Sequence, residues 1–337
     1  MLLDSLLRGV RGLRSRRLGA AGGRRCPSRA QGRLLRCEFL EERQLLSLAP
    51  AGIDWATYLG GSGSDGGASV AIDRDGSALV AGSTSSAEIA GANNSYHGGI
   101  RDAFVAKVNS DGSLAWVTYL GGSDREMAMA VAVDGEGNAL VAGYTLSLDF
   151  VDANNTFHGG INDAFVAKVN GSDGSLAWAT YLGGSNNESE TVWYGVAVDG
   201  AGNAYVSSTT SSLDFYGANN KFHGGTSDAF VAKVNGDNGS LAWATYLGGG
   251  AIDNGSGIAV DGSGNAFVTG YTTSTDFEGA NNEIHSTSHE DAFVAKIAEN
   301  GSLVWSTYVG GSNSDGGWDI ALDGAGNSFV IGKTSST

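Results

Sequence analysis

Past residue 50 the chain alternates between apolar runs of four to eight residues, rich in Val, Ala and aromatics, and polar breaks of Gly, Asn, Asp and Ser. Runs of that length with such boundaries predict buried β-strands rather than helices. The pattern repeats. The phrase beginning Trp55-Ala56-Thr57-Tyr58-Leu59 returns with its Trp at 116, 178, 243 and 305, spacings of 61, 62, 65 and 62. A second phrase, Ala132-Val133-Asp134-Gly135-Glu136-Gly137-Asn138, places equivalents of Asp134 at Asp73, Asp199, Asp261 and Asp323. A third, Asp102-Ala103-Phe104-Val105-Ala106-Lys107, recurs from Asp163, Asp228 and Asp291.

Each unit reads as four strands: A (Val131 to Asp134), B (Ala139 to Thr145), C (Ala164 to Val169) and D (Leu176 to Leu182). The A to B and C to D connections are short and Gly-rich, as antiparallel hairpins require. Four antiparallel strands in about 60 residues is the plan of a propeller blade, and strand solenoids repeat at shorter periods. The strands are apolar on both faces, as expected where sheets stack on each other. The five repeated Trp are expected to pack between blades, because an aromatic contributes mainly buried area. The fold class is therefore all-β, a propeller of about five four-stranded antiparallel blades over residues 50–337, after a basic, disordered leader over 1–49. Counting five D, five A, five B and four C segments gives 19 strands, with one blade incomplete and ring closure open.

The residues GIAVDGSGNAFVTGYT (Gly257 to Thr272) and DAFVAKVN…GSLAWATYLGG (Asp228 to Gly249) closely resemble the SBBP-type β-propeller repeat, and the resemblance runs from Trp55 to the last residue. It implies propeller blades and a bacterial exported or cell-surface setting, with no assigned reaction and no catalytic residues. The segment Leu40-Glu41-Glu42-Arg43-Gln44-Leu45-Leu46-Ser47 resembles the LExRxLLS leader of large exported bacterial proteins.

Charge sharpens the division. Residues 1–49 hold 11 Arg against four acids, while residues 50–337 hold 9 basic and 32 acidic groups, a net of −23. An acidic body of this kind repels nucleic-acid phosphates and anionic membrane surfaces. No apolar run is long enough to span a membrane. Both cysteines, Cys26 and Cys37, precede the repeats, so the body depends on packing alone.

Chemistry is sparse. His97, His158, His223 and His285 sit one per unit in the B to C connection, which suits a loop-structuring role better than a shared metal or acid–base centre. His285 with His289 and Glu290 is the one local cluster. The acids Asp65, Asp124, Glu188, Asp253 and Asp315 invite a calcium reading, but only Asp73-Arg74-Asp75-Gly76 begins to look like a calcium loop, and it stops at two carboxylates. No cofactor, metal or catalytic residue is assigned.

The copies differ most just before strand A, where Ala68, Met129, Tyr194, Ser256 and Trp318 are equivalent. Met129, Trp193, Tyr194 and Trp318, with Arg125, Glu126 and Asp319 nearby, are expected to surround one mouth of the central channel and to hold a neutral or cationic glycan, peptide or protein ligand. The expected function is a non-catalytic exported binding or scaffold module. The alternatives are a lyase or hydrolase at the channel mouth, and a structural surface-layer element that self-associates through an open sheet edge.

Overall fold

The computed structural model describes residues 54–188 and 193–337, and the expected leader lies outside them. Among the described residues there are 18 strands and no helix, so no helix is long and apolar enough to cross a membrane. The first blade is β1 (Asp65–Ile72), β2 (Ala78–Thr84), β3 (Asp102–Val108) and β4 (Leu114–Leu120). The second is β5 (Glu126–Val133), β6 (Ala139–Thr145), β7 (Asp163–Val169) and β8 (Leu176–Leu182). The third is β9 (Gly195–Val198), β10 (Ala204–Thr210), β11 (Asp228–Val234) and β12 (Leu241–Leu247). The fourth is β13 (Asp253–Val260), β14 (Ala266–Thr272), β15 (Asp291–Ile297) and β16 (Leu303–Val309). The fifth has two strands, β17 (Asp315–Leu322) and β18 (Ser328–Thr334).

Each sheet is an antiparallel meander in chain order, and its first strand packs against the first strands of its neighbours, β1 on β5, β5 on β9, β9 on β13 and β13 on β17. These are the innermost strands of the blades. The apolar content of both strand faces is thereby used: all seven residues of β6 are buried.

Two expectations need correction. The Trp55 to Leu59 phrase forms no strand, giving 18 strands rather than 19. Strand D exists by pairing with strand C of its own blade, and the first phrase has no C beside it. Strand A starts earlier than Val131, because β5 continues through a β-bulge to Glu126. Equivalent bulges fall between Gly67 and Ser69, between Gly255 and Ile258, and between Gly317 and Asp319.

The outer edge of each full blade is partly covered by its own B to C connection. Ala92, Ala153, Ala218 and Ala280 each make a parallel bridge to strand D, at Val117, Ala179, Ala244 and Ser306. The adjacent Asn94 acts as a further strand residue, its side chain accepting from Tyr119 N at 2.8 Å and donating to Tyr119 O at 2.9 Å. Asn155, Asn220 and Asn282 do the same for Tyr181, Tyr246 and Tyr308. Covering an edge in this way satisfies groups that would otherwise recruit another chain.

Blades are joined by a forward latch. The indole Nε1 of Trp116 donates to Gly171 O in the next blade at 3.3 Å, that of Trp178 to Gly236 O at 3.1 Å, and that of Trp243 to Glu299 O at 2.9 Å. Trp55 reaches Ser110 O at 2.9 Å in the same way, although no strand carries it. The inter-blade role expected for these tryptophans is thus seen at Trp116, Trp178 and Trp243, and Trp55 makes the same bond onto the first blade. Trp305 is half-buried, edge-on to Phe267 with ring centroids 6.2 Å apart.

Candidate functional site

Most of the repeated polar groups are occupied by the scaffold. In the A to B turns, Asp73 Oδ1 accepts from the backbone of Asp75 and Ser77, and Asp73 Oδ2 pairs with Lys107 Nζ at 2.9 Å. Lys168 repeats the pairing with Asp134 at 3.0 Å, and Lys233 with Asp199 at 3.4 Å. These are Asx turns stapled by the C-strand lysine. Hydrogen bonds and the lysine together draw the Asp73 and Asp134 carboxyls below the ordinary range, against the opposing effect of burial.

The histidines are oriented by the aspartate opening strand C. His97 Nδ1 lies 2.9 Å from Asp102 Oδ2, and His158, His223 and His285 stand at 3.0, 2.9 and 2.8 Å from Asp163, Asp228 and Asp291. The backbone N of each His donates to the same oxygen. His289 turns instead to Ser286 Oγ at 3.2 Å. Among the described residues, no three His, Cys, Asp or Glu side chains form a group suited to a metal ion.

A buried carboxyl pair recurs at the blade interfaces, and sequence reasoning did not pair its members. Glu188 and Asp163 are both fully buried, and Glu188 Oε2 and Asp163 Oδ1 lack conventional donors. Both oxygens crowd the face of Gly183, where any β-carbon would collide with them. Thr210 and Ser212 hydroxyls donate to Glu188 Oε1 at 2.9 and 2.7 Å. Burial, reinforced by the Asp163 charge, pushes the Glu188 carboxyl up to about 9. That shift favours the protonated form, in which two carboxylates need not face each other unscreened. Glu126 and Asp253 occupy the same position and are also pushed up by burial.

The variable positions before strand A coincide with the bulges. Ala68, Met129 and Trp318, and Ser256 with Gly257, are the residues their strands skip in pairing, while Tyr194 stands just before β9. Each inner strand begins opposite the end of strand B, on the face that carries the D to A and B to C connections. A bulge re-aims one side chain without altering the surrounding ladder. Met129 packs at the margin of a cluster that includes Tyr194, with Met127 beside it. Tyr194 is buried, and burial raises its phenol well above the ordinary value. Arg125 lies 5.4 Å above the Tyr144 ring, and its Nη2 is 3.4 Å from Met127 Sδ. Trp193 and Trp318 are exposed, and Asp319 is exposed with Oδ1 accepting from Ile320 N at 2.8 Å. The structure therefore brings Met129 and Tyr194 together as packing, and leaves the two indoles open on their blades.

Between the first and second blades a cavity of about 430 Å³ is lined by His97, Val151, Asp152, Asp173 and Leu176 among others. At the turn end of the inner strands, a second cavity of about 290 Å³ gathers Ile72, Val133 and Val198 with Asp73, Asp134 and Asp199.

Among curated proteins none matches the chain. Of solved structures, a gluconolactonase from Xanthomonas campestris is similar at 11% identity with a TM-score of 0.38, over 78% of this chain and 68% of that one. The β-propeller repeat model named SBBP matches residues 54–89, 115–150, 177–216, 242–278 and 304–337, each segment holding the first two strands of one blade and the last four also most of the final strand of the blade before. With the strand order, the forward tryptophan latch and the five matched segments in agreement, the chain belongs to the SBBP β-propeller repeat family.

Proposed function

We propose that this chain is a non-catalytic, exported or cell-surface module that binds a glycan, peptide or protein ligand on the face where the inner strands begin. The observation that supports this most is the division of labour among side chains. Polar residues shared by the copies are occupied by turns, edge covers and latches, whereas the residues that differ sit at bulges or beside them, with Trp193 and Trp318 exposed. A constant frame with a varied, aromatic-bearing surface is the arrangement of a recognition module. Met129 and Tyr194 support that surface from beneath, and Arg125 and Asp319 supply charge at its margin. The most perturbed carboxyl does not argue for catalysis, since Glu188 is fully buried against Asp163, itself fully buried, and no substrate reaches it. The test is a glycan and peptide binding screen with the full chain. Trp193→Ala combined with Trp318→Ala is expected to weaken any hit at least tenfold, and unchanged binding rejects the proposed face.

A second reading, a structural element that self-associates, is favoured by the bare faces of the first and fifth blades. Val70 is 61% exposed whereas its equivalent Val131 is 7%, and Phe329 is 60% exposed whereas its equivalent Leu140 is fully buried. These two surfaces are the opposite halves of the contact made between successive blades. Concentration-dependent sedimentation that Ile331→Lys abolishes supports this reading, and a monomer at all concentrations rejects it.

A further inference from the structure

The cleft between successive blades occurs in three comparable copies, and two of them are filled from within. Between the second and third blades, the ring of Tyr216 stacks on His158 with centroids 5.3 Å apart. Between the third and fourth, Glu278 Oε2 meets His223 Nε2 at 2.7 Å. The equivalent of Tyr216 and Glu278 in the second blade is Val151, too short to cover His97 and itself exposed. The 430 Å³ cavity opens at this place and takes in His97, Val151 and Asp152.

Asp152 supplies a second, independent observation. It is the one non-glycine residue with positive φ among the described residues, at 53°. Its equivalents are Gly91, Gly217 and Gly279, with φ of 83°, 71° and 71°. A β-carbon at those glycines would stand 3.0, 2.6 and 2.9 Å from Leu114, Leu241 and Leu303, the counterparts of Leu176. Asp152 thus accepts a backbone that its sister copies leave to glycine, at the rim of a cavity that Leu176 also lines. Strain kept at the lip of an open cleft, where three sister copies use glycine, motivates a functional reading.

We propose that this cleft binds a flat ring bearing a positively charged or hydrogen-donating group, an aromatic amine in chemical class. The carboxylates left over in the cleft accept hydrogen bonds. His97 Nδ1 meets Asp102 Oδ2 at 2.9 Å, so Nε2 is the ring's remaining polar atom. Asp173 uses Oδ1 on Ser175, and the Asp152 carboxylate is exposed. The donors of Asn93 and Asn94 are already directed to Asp173 O, Thr118 Oγ1 and Tyr119 O. The ring itself has a template in Tyr216, which occupies the neighbouring cleft against the equivalent imidazole of His158. Val151 and Leu176 line the walls for its apolar part. The site is separate from the inner-strand face, so its test stands apart from that of the proposed recognition surface.

The experiment titrates the full chain with tyramine, with p-hydroxyphenylacetate as the same ring carrying an anion, and with glucosamine as a sugar amine. Binding is read by calorimetry and by the His97 imidazole NMR signal, assigned with His97→Asn. Tyramine should shift that signal saturably and bind at least tenfold more tightly than either comparator. Val151→Tyr, which copies the filled cleft, should reduce tyramine binding at least tenfold, as should Val151→Glu, which copies the other. Asp152→Gly should raise the melting temperature while weakening binding about threefold. A wild type that shows no saturable His97 shift overturns the proposal, as does tyramine binding unchanged in both folded Val151 variants. Equal or tighter binding of glucosamine or p-hydroxyphenylacetate overturns the ligand class.

Discussion

The second blade and the fifth carry the same repeated motif and live in different surroundings. Strand β6 is buried along its whole length, while β18 is mostly exposed. The acid that opens strand A shows the consequence. At Glu126, Glu188 and Asp253 burial wins and the carboxyl is pushed up. At Asp65 and Asp315 burial is outweighed by hydrogen bonds, from Thr84 and Ser86 in one case and Thr334 and Ser336 in the other, and the carboxyl is held down. Asp315 is screened by its immediate neighbours, yet little protein lies beyond them. One motif therefore has two electrostatic characters, chosen by whether a blade stands on each side.

The largest expected contrast is between latches. Trp178→Ala empties a buried site and removes the bond to Gly236, and should cost about 3–5 kcal/mol. Trp305→Ala, half-buried with no following hairpin among the described residues, should cost about 1 kcal/mol. Hydrogen exchange resolved by blade is the suitable measurement, since repeat arrays open in parts. Equal costs at the two sites would break the comparison.

A smaller contrast comes from pH. A carboxyl raised to about 9 contributes stability that is fully present below its unfolded value near 4.5 and is lost as pH rises through 9. Glu188→Gln should therefore flatten the decline of stability between those limits in denaturant titrations across pH. Asp65 behaves oppositely. Its stabilisation is present above the unfolded value near 3.8 and fades as pH falls through the lower folded value, so Asp65→Asn should alter stability only slightly and only above that range. A Glu188→Gln profile parallel to wild type would show that the pair is ionised in the fold.

The repeat period, the Gly-rich turns and the length of the apolar runs made the blade legible in the sequence, since each is a local property. The edge-covering role of Asn94 and its equivalents was hinted at by their regular placement before each histidine. The Asp163–Glu188 pairing was not legible, because its members approach across two blades and only the paired glycines Gly183 and Gly184 mark the place. Met129 and Trp318 stood out as variable, yet that both are bulge residues required the strand register. The cleft at His97 was hidden for another reason. Val151 looks unremarkable until Tyr216 and Glu278 are seen occupying the same place.

The direction of the latch has a consequence for how such chains lengthen. Trp55, Trp116, Trp178 and Trp243 each reach forward to the next C to D hairpin, and each of those four hairpins receives an indole from behind. A duplicated stretch of one repeat, inserted at any boundary, brings its own donor and its own receptor, so extension requires no compensating change elsewhere. Deletion of a whole repeat rejoins the two ends as cleanly, and length can drift in ancestry while the joints stay intact.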